Sequence, residues 1–169
     1  MACNHVSYLD PPAVASVVKH RVFRFMARDT LWKSRFMKWF LGEMRCIPID
    51  RERGDLSAMR GVLKALKAGD LVALFPEGTR STDGQLKGTK PGIGFIVAKA
   101  GVPIVPAYVD GTFRAYPKGA GWVRPAKVQV RFGDAILPAD LPTIEQAKPC
   151  YEEISAFIMK RIGDLAPSR

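Results

Sequence analysis

Short apolar runs alternate with amphipathic helical patterns along this chain, and this alternation limits the fold more than any other feature. Residues 71–75 form a continuous apolar run of five, as expected of a parallel strand covered on both faces. Residues 55–68, just before it, read as an amphipathic helix. Further strands are predicted at 21–27 (helix is the alternative there), 46–49, 103–109 and 127–132, and helices at 11–19, 29–42, 91–100 and 149–162. We therefore predict an α/β fold with a mainly parallel central sheet flanked by helices.

Length and charge narrow the possibilities further. The 169 residues suit one domain over 1–169. The 26 basic and 16 acidic residues give a net charge of +10, which favours nucleic acid, a phosphate-bearing substrate or an anionic membrane as partner. Three cysteines without C-x-x-C spacing indicate neither a disulfide framework nor a zinc site, and a reducing cytosol fits best. No apolar run approaches the ~18 residues of a membrane-spanning helix.

The segment Asn4-His5-Val6-Ser7-Tyr8-Leu9-Asp10 places a histidine and a carboxylate in a His-x4-Asp spacing. Histidine can accept and return a proton near neutral pH, and a carboxylate can orient it by holding one ring nitrogen protonated. The alternative is a structural histidine, with Asp10 capping a helix that begins at Pro11. Because a strand should precede His5, we expect an N-terminal segment that is missing or unusually short.

Polar stretches directly follow three of the predicted strands, at residues 50–53, 77–81 and 110–114. In parallel sheets these stretches meet at the carboxyl edge, where sites of α/β proteins lie. Arg51 and Arg80 come from two of them, and paired guanidinium groups suit phosphate oxygens. Each arginine alone would more often be a surface salt-bridge partner, and it is their shared location at strand ends that indicates a site.

Residues 19–53 hold ten Lys/Arg against four Asp/Glu, a local balance of +6. Trp32, Phe36, Trp39 and Phe40 recur there at helical spacing. The stripe could pack into the core, or it could form an interfacial helix with aromatic side chains among lipid headgroups and lysines above them. The local charge favours the membrane surface.

Four blocks of the sequence, taken in order, resemble the glycerolipid acyltransferases of the 1-acyl-glycerol-3-phosphate acyltransferase type. They are Asn4–Asp10 with its His-x4-Asp, Ile47-Pro48-Ile49-Asp50-Arg51, Phe75-Pro76-Glu77-Gly78-Thr79-Arg80-Ser81, and Val102-Pro103-Ile104-Val105-Pro106. The third block matches in full, and the resemblance runs from residue 4 to about residue 133. The ordered set is far more specific than His-x4-Asp alone.

The resemblance implies acyl transfer from acyl-CoA or acyl-carrier protein to the free sn-2 hydroxyl of a lysophospholipid acceptor, giving phosphatidic acid. His5 would be the general base and Asp10 would orient it, without a metal, a cofactor or an acyl-enzyme. The acceptor would be bound by Arg51, Glu77, Gly78, Thr79 and Arg80. Lys90 would be a secondary candidate, and Pro106 would line the site.

We also expect peripheral attachment to the cytoplasmic face of an anionic membrane. Members of the family usually carry more chain before the first block, often membrane-embedding helices, and we expect this chain to depart from the family by lacking that segment, which leaves its membrane anchoring open. Glu77 could instead be a structural carboxylate paired with Arg80.

The sequence also allows other acceptors and other functions. The acceptor could be glycerol 3-phosphate, another lysophospholipid or an amino-acid lipid, and the chain could be a non-catalytic lipid binder on the same scaffold. A serine hydrolase using Ser7 would need a G-x-S-x-G turn, which the sequence lacks. A nucleic-acid binder would explain the charge, but no nucleic-acid-binding motif appears, and we expect no nucleic-acid partner.

Overall fold

The computed structural model describes residues 1–18, 22–43, 45–49, 56–142 and 150–167. Its strands are β1 Ala2–Cys3, β2 Phe23–Arg28, β3 Ile47–Ile49, β4 Leu71–Ala73, β5 Pro106–Asp110 and β6 Gln129–Phe132. Its helices are α1 Asp10–Ser16, α2 Arg35–Glu43, α3 Leu56–Lys67, α4 Gly92–Ala100, α5 Thr112–Ala115 and α6 Tyr151–Gly163, with 3-10 turns at Asp29–Lys33 and Pro138–Asp140.

The strands form two three-stranded groups, ordered β3-β2-β4 and β1-β5-β6. A parallel bridge between Ala2 and Leu74 joins the two groups. The strand pairings within the groups are parallel except that of β5 with β6. The predicted α/β fold with a mainly parallel sheet is therefore confirmed, and the carboxyl ends of β1, β4 and β5 point to one edge.

Helices cover both faces of this sheet. Ala2 packs in a cluster with Ile93 of α4 and Ile158 of α6, whereas its neighbour Cys3 packs with Val14 of α1. Because successive strand residues point to opposite faces, α1 lies on the face opposite α4 and α6. Gly94 allows the close approach of α4 to α6, since a Cβ there would collide with the carbonyl oxygen of Tyr151.

The predicted element boundaries shift at several places. Residues 23–28 are a strand, so the helical alternative is wrong. The predicted cap of α2 at Asp29 or Thr30 is also wrong, because those residues enter a 3-10 turn. The helix begins after Ser34, whose Oγ accepts a hydrogen bond from the Met37 amide at 3.1 Å.

The aromatic stripe belongs to this region of the chain. Trp39 is 60% exposed, which argues against a core role for the whole stripe, and the side chains of Phe36 and Phe40 lie outside the described residues. None of the helices within the described ranges is long and apolar enough to cross a bilayer.

Candidate active site

Three chain segments meet at the carboxyl edge of the sheet. His5 follows β1, Glu77 follows β4 and Thr112 follows β5, as the positions of those strands require. β1 has only two residues, but it is the strand that was expected before His5. The edge thus collects side chains that are far apart in the sequence.

His5 and Asp10 form a hydrogen-bonded pair. Nδ1 of His5 lies 2.8 Å from Oδ2 of Asp10. The His5 side chain is 18% exposed and that of Asp10 is fully buried. A carboxylate at Nδ1 holds the proton on that nitrogen, which leaves Nε2 as the basic nitrogen. Among the described residues, none hydrogen-bonds to Nε2, so it is available to an incoming group.

Asp10 accepts hydrogen bonds from several directions. The backbone amides of Val6 and Ser7 donate to Oδ2, each at 2.7 Å. Thr112 Oγ1 donates to Oδ1 at 2.6 Å. Asp10 is the first residue of α1 and follows the cap position at Leu9, so it is not itself the cap that the alternative interpretation proposed. These donors compensate for burial of the carboxylate.

The backbone and ring of His5 are also fixed. Its amide donates to Oε1 of Glu77 at 3.1 Å, and its carbonyl accepts from the amide of Ser81 at 2.8 Å. The imidazole stacks on Phe75 with ring centroids 4.2 Å apart. The segment after β4 therefore holds the histidine in place from two sides.

Two buried side chains fix the turn that carries the pair. The side-chain amide of Asn4 donates to the carbonyl of Val109 at 3.0 Å, and its oxygen accepts from the amide of Val109 at 2.7 Å. In this way Asn4 extends the pairing of β1 with β5 by one position. Ser7 Oγ donates to the carbonyl of Tyr116 at 2.7 Å, so it serves to anchor the turn.

Glu77 and Arg80 are both close to the pair but are not bonded to each other. In the part of the chain that the structure describes, Oε2 of Glu77 and Nη1 of Arg80 are buried without a hydrogen-bond partner. The guanidinium of Arg80 lies over the ring of Tyr8, 3.3 Å from its centroid. The proposed structural ion pair between Glu77 and Arg80 is therefore wrong. Unpartnered buried polar atoms of this kind are common where a polar ligand binds.

Burial raises the pKa of Glu77 from 4.5 to about 7, and the nearby Asp10 carboxylate adds to the effect while the His5 amide opposes it. The folded protein then holds this proton more tightly than the unfolded chain does. The contribution of Glu77 to the free energy of unfolding should therefore be complete below a pH of about 4.5. It should be lost as the pH rises through about 7.

Replacing Glu77 with glutamine should remove this pH dependence. We expect Glu77→Gln to be more stable than the parent at alkaline pH, by up to ~3 kcal/mol, because the amide stays neutral and can still accept from His5. Urea unfolding across the pH range measures the effect. An unchanged pH dependence in the variant would show that Glu77 is already ionised in the folded protein without penalty.

The remaining predicted site residues are placed as follows. Gly78 has a φ of 65°, and a Cβ there would lie 2.9 Å from Cδ of Lys90, so Lys90 packs across the Glu77–Arg80 turn. Thr79 is exposed in that turn.

Pro106 starts β5 opposite Ala2, and the structure does not bring it to the carboxyl edge. Arg51 and the rest of its block after Ile49 lie outside the described residues.

Sequence reasoning missed the contributions of Thr112, Phe75 and Asn4. Thr112 was within a polar stretch that follows a predicted strand, which was the available signal. Its bond to Asp10 spans 102 residues and depends on the register of β1 against β5. Within the described ranges, no three His, Cys, Asp and Glu side chains form a group that could hold a metal ion.

The chain is similar to proteins named as 1-acyl-sn-glycerol-3-phosphate acyltransferases. Chloroplastic 1-acyl-sn-glycerol-3-phosphate acyltransferase LPAT1 of Arabidopsis thaliana is 34% identical over 119 residues, which cover 69% of this chain and 33% of that protein. The 1-acyl-sn-glycerol-3-phosphate acyltransferase of Bacillus subtilis is 26% identical over 94% of this chain and 78% of its own length. This chain therefore spans about a third of the chloroplastic relative.

A solved structure resembles the whole chain. The crystal structure of the 1-acyl-sn-glycerophosphate acyltransferase PlsC from Thermotoga maritima matches with a TM-score of 0.76 and 26% identity, over 99% of this chain and 67% of that one. The acyltransferase family model matches residues 1–110, which include the His5–Asp10 pair and the Glu77–Arg80 turn. The chain belongs to the acyltransferase family.

Proposed function

We propose that this chain transfers an acyl group from acyl-CoA or acyl-carrier protein to the sn-2 hydroxyl of 1-acyl-glycerol 3-phosphate, giving phosphatidic acid in phospholipid biosynthesis. The observation that carries the proposal is the His5–Asp10 pair, with Nδ1 bonded to a buried carboxylate at 2.8 Å and Nε2 available. The names of the relatives point to the same acceptor.

His5 acts on the acceptor hydroxyl. Nε2 takes the proton as the hydroxyl oxygen attacks the thioester carbonyl carbon, and Asp10 stabilises the imidazolium that forms. The new ester C–O bond is completed as the C–S bond breaks, and the imidazolium returns the proton to the leaving thiolate. A thioester is activated, so a positioned base and a bound acceptor suffice and no metal, cofactor or covalent enzyme intermediate is needed.

Arg80 and the turn around it are suited to the acceptor phosphate. Its guanidinium is held over Tyr8, while Nη1 is buried without a partner among the described side chains, so a phosphate oxygen would satisfy it. The aliphatic part of Lys90 packs against Gly78 in the same turn, so Lys90 is a further candidate for the phosphate. Thr79 and Arg51 complete the proposed acceptor site, and Glu77 would receive a glycerol hydroxyl.

The proposed lysophospholipid acceptor and the net charge of +10 both support a reaction that takes place at an anionic membrane surface. The proposed location is therefore the cytoplasmic face of the membrane, with peripheral attachment.

Acceptor dependence of thiol release tests the proposed reaction. The purified chain is given oleoyl-CoA with lysophosphatidic acid, with lysophosphatidylcholine or with no acceptor, and the lipid product is identified by mass spectrometry. We expect release with lysophosphatidic acid above the other two, with phosphatidic acid as product. Equal release without an acceptor would indicate a thioesterase, and no release with either CoA or carrier-protein donors would refute the proposal.

Thr112 should act as a positioning residue in this reaction. Thr112→Val keeps the shape of the side chain but removes the hydroxyl that donates to Asp10 at 2.6 Å. We expect kcat to fall about tenfold with little change in KM, because one charge-assisted hydrogen bond of ~1.5–3 kcal/mol holds Asp10 in place. Thr112→Ser should restore kcat. A rise in KM alone would place Thr112 at the acceptor instead.

A further inference from the structure

An exposed loop, which we call the Trp122 loop (residues 116–128), stands out on the surface. Trp122 is 71% exposed and Val123 is 57% exposed. Each residue from Gly121 to Pro125 is exposed. Two adjacent, exposed, large apolar side chains form an apolar patch, and such patches often mark interaction sites.

The sequence on either side of Trp122 and Val123 is basic, and one of its cations, Arg114, pairs with Asp110 at 3.6 Å. Residues 111–133 contain five Lys/Arg and no Asp or Glu. Three of these cations, Lys118, Arg124 and Lys127, belong to the Trp122 loop and are exposed. Half of the net charge of +10 is thus carried by one segment. A partner for this segment should be anionic.

The Trp122 loop leaves and returns at the edge of the sheet where His5 lies. It follows α5, whose Thr112 bonds Asp10, and its first residue, Tyr116, accepts a hydrogen bond from Ser7. It ends at β6, where Gln129 pairs with Asp110 at the carboxyl end of β5. The loop that carries Trp122 is therefore attached at both ends to the carboxyl edge of the sheet.

Backbone hydrogen bonds give the loop a defined shape. The amide of Ala120 donates to the carbonyl of Pro117 at 3.1 Å. The amide of Arg124 donates to the carbonyl of Ala115 at 2.8 Å. The loop is therefore tied to the end of α5 at Arg124, directly after the exposed pair Trp122 and Val123.

We propose that the Trp122 loop is a membrane-contact element, which inserts Trp122 and Val123 into the headgroup region of an anionic bilayer. Lys118, Arg124 and Lys127 bind the lipid headgroups around these two side chains. Tryptophan favours the interface between water and hydrocarbon, and basic side chains beside it add electrostatic attraction to anionic lipid. Contact at this point holds the carboxyl edge against the membrane.

A bilayer fits these observations better than a protein partner does. The exposed apolar pair lies in a loop that also carries three exposed cations, and it can insert into a fluid surface without a matching pocket. An acidic carrier protein would satisfy the cations, but it would have to cover Trp122 as well. The inference rests on the proposed function, because a lysophospholipid acceptor is presented by a membrane.

Vesicle binding of the full chain tests the loop directly. Binding is measured by sedimentation with phosphatidylcholine vesicles, with and without phosphatidylglycerol. Trp122→Ala should weaken binding to the anionic vesicles about tenfold. Changing Lys118, Arg124 and Lys127 together to glutamine should weaken it about a hundredfold. Leu137→Ala is the matched control: Leu137 is 49% exposed and follows Ile136, which pairs with Ile104 beyond the opposite end of β5.

The position of Trp122 in the lipid is measured separately. The chain has three tryptophans, so Trp32→Phe with Trp39→Phe leaves Trp122 as the reporter. We expect its emission to shift to the blue on anionic vesicles and to be quenched by brominated lipid. Unquenched Trp122 on vesicle-bound protein, or no vesicle binding by the full chain, would overturn the proposal. A shift seen only with an acidic carrier protein would overturn it too.

Neither measurement uses turnover, so the two proposals can fail separately. A chain that buries Trp122 in lipid but releases no acceptor-dependent thiol would refute only the proposed function. With a short-chain, monomeric lysophosphatidic acid as acceptor, Trp122→Ala should keep the parent's kcat, because Trp122 has no part in the chemistry. With the acceptor embedded in anionic vesicles, the same variant should lose about tenfold in rate.

Discussion

His5→Ala is expected to lower kcat for acyl transfer by about 10²–10⁴, the usual contribution of a positioned general base. His5 supplies the imidazole that is bonded to Asp10, and the polar contacts of Glu77, Ser81 and Asp10 with residues 5–7 hold this base in place. Removal of the ring takes away the base while most of these contacts, which involve the backbone, stay. The measurement is lysophosphatidic-acid-dependent thiol release under saturating donor and acceptor.

Controls separate lost chemistry from lost structure. His5→Gln keeps a side chain over Phe75 but cannot serve as the base, so it should be as inactive as His5→Ala. Both variants should bind anionic vesicles as the parent does, and both should stay folded because the backbone contacts of residue 5 with Glu77 and Ser81 remain. Turnover within about tenfold of the parent would mean that the base is another group.

Asp10 should show the second large effect, and its two variants should differ sharply. Asp10→Ala leaves the amides of Val6 and Ser7 and the hydroxyl of Thr112 without their acceptor in a buried position. At ~1–3 kcal/mol for each unsatisfied group, the loss approaches the whole stability of an ordinary domain. We expect Asp10→Ala to be largely unfolded or to precipitate, as judged by circular dichroism and urea unfolding.

Asp10→Asn keeps the shape and one acceptor oxygen. The amide can place its oxygen toward Val6, Ser7 and His5 and turn its NH2 toward Thr112, whose hydroxyl can accept instead of donating. We therefore expect a folded protein, destabilised by about 1–2 kcal/mol, whose kcat falls by ~10²–10³ because the imidazolium has lost its counter-charge. Near-parent turnover in Asp10→Asn would show that the charge of Asp10 has no catalytic role.

The features that are local in sequence were predictable. The His5–Asp10 pair lies within one turn, and the strand runs and amphipathic helices repeat at periods that the sequence displays. The sheet edge that holds the site followed from the strand order of α/β folds. These parts depend on contacts between near neighbours or on a general rule of chain topology.

Features that depend on register were not predictable. Thr112 reaches Asp10 only because β5 pairs with β1 at Pro106 and Ala107. Residues 103–105 belong to the same apolar run, yet Ile104 forms a bridge with Ile136 outside the named strands, so the run alone does not mark where β5 begins. Asp29, Thr30 and Ser34 are all residue types that favour helix caps, so the sequence alone does not choose between them. Ser34 caps α2 because Asp29 and Thr30 belong to the preceding 3-10 turn.

The hydrogen bonds around the turn join segments that are far apart in the sequence, which bears on how the folding chain would acquire its proposed activity. Asn4 pairs with Val109 across 105 residues, Asp10 with Thr112 across 102, and His5 with Glu77 across 72. Contacts between such distant segments form slowly, because the intervening chain must be ordered first. In refolding from denaturant, the return of turnover would therefore mark docking of β5 on β1, and would follow rather than accompany the return of helical circular dichroism.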